Sequence, residues 1–402
     1  MIPFSPPRID QKIIDEVTAA LKSGWITTGP RTKLFEKKIT EYCGNKSSLC
    51  LNSATAGLEI MLRWFDVGEG DEVILPAYTY AATANVIVHC GAKPVFVDVN
   101  ASDFNISVKE IEKHITVKTK VIMPVDFGGY PCDYDEINTL ATSKKSLFVA
   151  RSENQKKLGR ILVLSDSAHS LGAEYKGKKT GSLTDVSVFS FHAVKNLSTA
   201  EGGAVALNLP APFDNEEVYK TLCIKTLHGQ NKDALAKTQK GNWKYDIIEA
   251  GYKCNMTDIV AAMGLVEIER YDNDTLVKRK HICDYYTKFF SGNELFQIVP
   301  QLTNEKKSCY HLFPLRINGI SAAQRDAIIQ KIFDKDVSVN VHFMPVPSTG
   351  FYKSLGYDMN NYPQALDNFN REITLPVYYD LTDDNLKTIC EAVLKSVSEV
   401  LK

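Results

Sequence analysis

Between residues 47 and 207, short apolar runs alternate with segments of helical periodicity. This alternation is typical of a mostly parallel sheet that helices cover on both faces. We therefore predict one large α/β domain built on a seven-stranded, mostly parallel sheet. Its strands are Ser48–Asn52, Glu72–Pro76, Pro94–Val99, Val121–Val125, Ile161–Ser165, Val186–Phe191 and Ala204–Leu207.

The pattern changes after residue 255. Two long helical stretches, Met256–Tyr271 and Asn273–Phe290, lead into a smaller α+β unit that ends in an amphipathic helix. A chain of 402 residues is long enough for two or three domains. We predict a large domain over residues 1–275 and a small C-terminal domain over residues 276–402, on which the N-terminal segment could pack.

Charge and cysteine usage limit the possible partners. The 47 basic and 48 acidic residues leave a net charge of -1 without a long block of one sign, which disfavours nucleic acid and anionic membranes as partners. Nine cysteines without C-x-x-C spacing indicate free thiols in a reducing cytoplasm, and no spacing of ligands predicts a metal site. The uncharged stretch Val73–Ala92 contains proline, asparagine and histidine, which favours strand, loop and helix over a membrane span.

Two buried strands of the predicted sheet end in ionisable groups. Asp166 follows the fifth strand and Lys195 follows the sixth, at the edge where open α/β sheets bind ligands. A neutral lysine amine forms a Schiff base with an aldehyde, and a carboxylate can keep a pyridinium nitrogen protonated. Pyridoxal phosphate chemistry requires this pair. The alternative is that Asp166 caps a turn and Lys195 is a surface lysine.

Two further segments follow strands at the same edge. Small and hydroxyl residues from Ser53 to Gly57 suit a phosphate at a helix N-terminus, although they could simply cap the helix. The segment Pro76–Thr83 would place an aromatic ring there, unless its tyrosines belong to the core. The run Gly172–Lys179 is close to a phosphate-binding P-loop, but Lys179 stands where a hydroxyl must hold Mg²⁺. Because of this partial match, the non-enzymatic alternative is a nucleotide-binding regulatory protein.

At these residues the sequence resembles the DegT/DnrJ/EryC1/StrS family of pyridoxal-phosphate sugar aminotransferases, which have fold type I. The run Ser190-Phe-His-Ala-Val-Lys195-Asn is specific to that family, and the resemblance begins at Gly24–Pro30 and spans nearly the whole chain. It implies a homodimer that transfers an amino group from glutamate to a nucleotide-linked keto sugar for surface polysaccharides. We expect a 4-keto-6-deoxyhexose; a 3-keto sugar or an inosose is the alternative.

The resemblance also implies roles for single residues. Lys195 would hold the cofactor and move the proton, while Asp166 would pair with the pyridine nitrogen. Other residues at cofactor-contact positions are Thr55, Ala56 and Ser190 around the phosphate, Tyr80 on the ring, His169 near the phenolic oxygen, and Lys253. The positions expected to contact the sugar nucleotide are Trp25, His192, Tyr310, His311 and His342.

Lys253 and Asn255 depart from the pattern of the family. At these two positions the family more commonly has Asn and Arg, in a loop that reaches the phosphate of the neighbouring subunit. A lysine could supply a charge-assisted contact there instead.

Overall fold

A computed structural model describes residues 1–232 and 244–402 of the chain. Its largest sheet has seven strands in the order β1-β9-β8-β5-β4-β2-β3. Only β9 runs antiparallel to its neighbours, so the other six strands share one direction. The strands are β1 (Ser47–Leu51), β2 (Glu72–Pro76), β3 (Lys93–Val97), β4 (Thr119–Ile122), β5 (Leu162–Asp166), β8 (Val186–Ser190) and β9 (Gly203–Leu207).

Helices cover both faces of this sheet because its strands bury alternate residues in opposite directions. In β8, Val186 and Val188 belong to one apolar cluster and Phe189 belongs to another. The helices up to residue 225 are α1 (Gln11–Lys22), α2 (Pro30–Cys43), α3 (Ala54–Trp64), α4 (Ala81–His89), α5 (Val108–His114), α6 (Tyr134–Ser143), α7 (Glu153–Leu158) and α8 (Asn215–Lys225).

The C-terminal part has its own antiparallel sheet, in the order β10-β12-β13, and a separate apolar cluster from residue 282 onward. Ile2 at the N-terminus pairs with Val337 in this part of the molecule. The α-helices and main strands of the described chain after residue 244 are α9 (Asp258–Glu269), α10 (Leu276–Phe290), β10 (Phe296–Ile298), β12 (Phe313–Ile317), α11 (Ala322–Phe333), α12 (Gly350–Ser354), α13 (Pro363–Arg371), β13 (Glu372–Leu375) and α14 (Asp383–Leu401).

The predicted fold class is confirmed, and the seven strands lie within three residues of their predicted bounds. The uncharged stretch Val73–Ala92 forms β2, a loop and α4. In the described parts of the chain, no helix combines the length and apolar character needed to cross a bilayer. A five-residue π-helix, Tyr271–Thr275, joins α9 to α10, where we predicted a simple break.

The segment that resembles a P-loop has a different structure. It forms two short strands, β6 (Glu174–Tyr175) and β7 (Lys178–Lys179), which pair with each other and, through β6, with β11 (Lys306–Lys307). A P-loop must lead directly into a helix, whose N-terminus helps to bind the phosphates. The hairpin removes the structural basis for a nucleotide site at this segment.

The crossing of α2 and α9 depends on a glycine. A Cβ atom at Gly264 would lie 2.5–2.9 Å from ring carbons of Phe35, which is fully buried. We expect Gly264→Ala to lower the free energy of unfolding by about 1–3 kcal/mol, because the core is already filled. Urea unfolding followed by circular dichroism measures this. Gly350→Ala is the matched control, since its Cβ would meet no atom within 4 Å; equal midpoints for the two variants would contradict the prediction.

Candidate active site

A cavity of about 360 Å³ lies at the carboxyl edge of the six parallel strands. Four connections reach it, because α3 follows β1, α4 follows β2, Asp166 ends β5 and Ser190 ends β8. Its wall contains nine of the residues expected from the sequence: Thr55, Tyr80, Asp166, His169, Ser190, His192, Lys195, His311 and His342.

Lys195 lies on the loop that follows β8. Its backbone N–H donates to the carbonyl of His192 at 2.8 Å, and its half-buried side chain lines the cavity. Desolvation lowers the pKa of the amine to about 8, and the negative charge of Asp166 partly opposes this effect. An appreciable fraction of Lys195 is therefore neutral near neutral pH, which is the form that attacks a carbonyl carbon.

Asp166 is buried at the end of β5 and is held by two donors. Its Oδ2 atom accepts a hydrogen bond from Thr83 Oγ1 at 2.8 Å, and its Oδ1 atom accepts one from the Ala168 N–H at 3.2 Å. Burial raises the pKa of Asp166, whereas these bonds and the charge of Lys195 lower it. A cation placed against this carboxylate, such as a pyridinium N–H, would stabilise its ionised form.

Sequence reasoning missed Thr83, which is fully buried in the first turn of α4. The available signal is its position: it follows the carboxyl end of β2 by seven residues, on the side of the sheet where Asp166 was expected. A hydroxyl in a first helical turn has many possible roles, and only the fold brings this one to the carboxylate.

The start of α3 forms a cradle suited to an anion. Ser53 Oγ caps this helix by accepting from the Ala56 N–H at 3.1 Å, so that N–H is already bonded. The N–H groups of Ala54 and Thr55 belong to the first turn, have no carbonyl partner within the helix, and lie on residues that line the cavity. Ser190 lies on the same wall, and we refer to Ala54, Thr55 and Ser190 together as the anion cradle.

Two buried histidines next to Lys195 are neutral. Burial lowers the pKa of His169 and His311 well below the ordinary value, and the positive charge of Lys195 adds to the effect. His169 Nδ1 accepts from the Gly128 N–H at 3.3 Å, so its proton is on Nε2, where it suits a phenolic oxygen. His311 Nδ1 donates to Asn196 Oδ1 at 2.9 Å. The ring centroids of His169 and His311 are 4.5 Å apart.

Four expected site residues lie away from this cavity. Ala56 does not line it, and Trp25 Nε1 donates to the Thr28 carbonyl at 3.1 Å. Tyr310 is buried among apolar side chains of the C-terminal cluster, so it does not reach the cavity of its own chain. Lys253 is exposed, and its Nζ atom donates to Asn255 Oδ1 at 2.5 Å.

The cavity thus combines an amine, a buried carboxylate, an anion cradle and a neutral donor, which is the set that pyridoxal phosphate needs. The model of the DegT/DnrJ/EryC1/StrS aminotransferase family matches residues 7–394. The chain belongs to this family. Its predicted identity as a pyridoxal-phosphate-dependent aminotransferase is confirmed.

Solved structures and curated relatives agree with this assignment. Spr1654 from Streptococcus pneumoniae, assigned as a sugar aminotransferase and solved in its PMP form, is 47% identical, with a TM-score of 0.96 and full coverage of both chains. The spore coat polysaccharide biosynthesis protein SpsC of Bacillus subtilis is 35% identical over 98% of this chain and 96% of its own. UDP-4-amino-4,6-dideoxy-N-acetyl-beta-L-altrosamine transaminase from Campylobacter jejuni is 33% identical, over 100% and 99% of the two chains.

The bond from Thr83 to Asp166 predicts an effect on cofactor affinity. Thr83→Val keeps the shape of the side chain but removes the donor, so the ionised carboxylate loses a hydrogen bond of about 1.5 kcal/mol. We expect the apoenzyme to bind pyridoxal phosphate roughly 10-fold more weakly, as measured by quenching of protein fluorescence during titration. Thr83→Ser keeps the hydroxyl and is the control. Equal dissociation constants for the valine and serine variants would exclude this role for the hydroxyl.

Proposed function

We propose that this aminotransferase moves an amino group from glutamate to the C4 keto group of a nucleotide-linked 6-deoxyhexose, in the synthesis of surface polysaccharides. One observation carries the proposal: the carboxyl edge of the sheet joins Lys195, Asp166 and an anion cradle in a single cavity that also has neutral histidines on its wall. The names of two relatives support the substrate class, since SpsC is named for polysaccharide biosynthesis and the Campylobacter transaminase for a UDP-linked 4-amino sugar.

In this proposal Lys195 has two tasks. Its neutral amine would hold the cofactor, and once released it would accept the proton from the α-carbon of glutamate. Bound pyridoxal phosphate supplies the electron sink for that proton transfer. Asp166 would keep the ring nitrogen protonated, and the first turn of α3 would bind the phosphate through the N–H groups of Ala54 and Thr55. The pKa of about 8 allows Lys195 to accept a proton and return it near neutral pH.

The sugar nucleotide enters from the open side of the cavity. Tyr80 is 64% exposed there. His192 is also exposed, and its Nε2 atom lies 3.7 Å from Glu201 Oε1. His311 and His342 lie deeper, and His342 is close enough to Lys195 for the amine to lower its pKa. We assign His192, His311 and His342 to the sugar nucleotide. His311 and His342 are neutral, so they bond sugar oxygens without adding a second cation beside the amine.

We further propose a cytoplasmic homodimer in which Lys253 and Asn255 serve the cavity of the partner subunit. Lys253 is exposed and does not line the cavity of its own chain, which supports a role across an interface. Four apolar side chains of the N-terminal region are 47–54% exposed and suit the same interface: Ile9, Ile14, Leu21 and Ile26. The proposed domains are residues 1–275 and 276–402, supported by the separate apolar cluster that begins at residue 282.

Two half-reactions test the proposed function. Glutamate should convert the bound cofactor to its amine form and release 2-oxoglutarate, which absorption spectroscopy and product analysis detect. The amine form is then mixed with UDP-, GDP- and dTDP-linked 4-keto and 3-keto sugars and with an inosose. We expect single-turnover transfer to a 4-keto-6-deoxyhexose; transfer to only the 3-keto sugars or the inosose would contradict the proposed substrate.

Lys195→Ala tests the role of the amine. We expect transfer to fall by about 10²–10⁴-fold or more, because both the covalent link and the proton carrier are removed. Lys178→Ala changes an exposed lysine of the β6–β7 hairpin and serves as the control. A rate for Lys195→Ala within a few fold of this control would remove Lys195 from the mechanism.

A further inference from the structure

His342 is held on nearly every side. Its backbone N–H donates to Glu372 Oε2 at 3.1 Å, and its backbone carbonyl accepts from the Tyr78 hydroxyl at 2.6 Å. Its ring Nδ1 lies 3.0 Å from Thr374 Oγ1, and the ring stacks on Phe4 with centroids 5.6 Å apart. Within the described residues, no protein group bonds Nε2. Because His342 lines the cavity, Nε2 is the atom left for a ligand.

Glu372, the first residue of β13, is fully buried, and among the described residues its carboxyl group bonds only to Thr374 and His342. Thr374 Oγ1 donates to Oε1, while Oε2 accepts from the His342 N–H. Within the described residues, no lysine or arginine forms an ion pair with it. A buried carboxyl group without an ion pair is costly, and both of its bonds here lead to His342.

The groups that surround Glu372 explain its charge state. Arg316 faces it from β12 and Arg325 from α11, while Tyr78 and His342 approach from the loops. Burial raises the pKa of Glu372 to about 8, and the bonds from Thr374 and His342 and the charges of the two arginines oppose this rise only in part. His342 itself stays neutral, because burial lowers its pKa to about 3.

The protonation state of Glu372 therefore determines the direction of the hydrogen bonds that link Glu372, Thr374 and His342. With ionised Glu372, the Thr374 hydroxyl donates to the carboxylate and accepts from His342 Nδ1–H, which leaves Nε2 as a bare acceptor. With protonated Glu372, Oε1–H donates to Thr374, the hydroxyl donates to Nδ1, and the single ring proton is on Nε2. The ring is neutral in both states.

We propose that Glu372 is a positioning residue that sets, through Thr374, whether Nε2 of His342 meets the sugar as a donor or as an acceptor. The identity of the ligand rests on the proposed function. A keto oxygen has only lone pairs, so the donor form, with protonated Glu372, is the one that binds the acceptor substrate. The acceptor form presents a lone pair to that oxygen and binds the keto sugar more weakly.

The tautomer of His342 can be observed without substrate. The imidazole ¹⁵N and ¹³Cδ2 shifts differ between the two neutral tautomers, and loss of a signal in His342→Asn assigns the resonance in histidine-labelled holoenzyme. Between pH 6 and 10 we expect the proton to move from Nε2 to Nδ1 with a midpoint near 8. A His342 signal that keeps one tautomer over this range in the wild-type protein would overturn the proposal.

Glu372→Gln and two Thr374 variants locate the control. A glutamine can donate its NH₂ to Thr374 and accept from the His342 N–H, so it should lock the Nε2–H form at every pH. Thr374→Ser keeps the hydroxyl and should keep the transition, whereas the isosteric Thr374→Val should lose it. A transition that persists in Glu372→Gln or Thr374→Val would show that other groups set the tautomer, and the proposal would fail.

Kinetics connect the tautomer to substrate. We expect Thr374→Val to raise KM for the keto sugar about 10-fold over Thr374→Ser, with a smaller change in kcat. The glutamate half-reaction, measured on the same samples, reports the cofactor site separately. If the wild-type protein takes no amino group from glutamate and transfers none to any keto sugar, while the His342 tautomer still changes with pH, the proposed function is wrong. The control of the tautomer by Glu372 then still stands. Equal KM values for Thr374→Val and Thr374→Ser would overturn the proposed role of this hydrogen-bond chain in sugar binding.

Discussion

Withdrawal from water is the constraint on which this site depends. The cavity disfavours the charged forms of both Lys195 and Asp166, lowering the pKa of the amine and raising that of the carboxyl, while each charge stabilises the other. Either group alone would be more easily neutralised. Together they keep a reactive amine and a potential anion in one small space, which a cationic aromatic ring would complete.

The same low polarity governs the histidines. His169, His311 and His342 all have lowered pKa values and remain neutral beside Lys195, so they add hydrogen-bonding groups without adding charge. Neutral imidazole has one donor and one acceptor, and the neighbour of the inner nitrogen decides which of them faces the cavity. Gly128 and Asn196 set opposite directions for His169 and His311. Residues that bond the histidines from outside the cavity therefore determine whether a donor or an acceptor faces the ligand.

How much of this follows from sequence depends on whether the signal is local. Strand periodicity predicted the sheet. The rule that ligands bind at the carboxyl ends of strands predicted that Asp166 and Lys195 lie close together. Contacts between distant segments carry no such pattern. Thr83 on Asp166, and Glu372 behind His342, depend on how separate elements pack. Tyr310 is a further case, because its position in the family pattern could not reveal that its ring is buried in the C-terminal cluster.

The single reversed strand has a mechanical consequence. Because β9 returns antiparallel to β8, with Ser190 opposite Gly203, the loop that carries Lys195 is closed at both ends by neighbouring strands of one sheet. A Cβ atom at Gly203 would lie 2.5 Å from the Ala54 nitrogen, so the base of this loop also touches the anion cradle. Lysine and cradle therefore form one stiff frame, and the site loses little conformational entropy when a ligand bridges them.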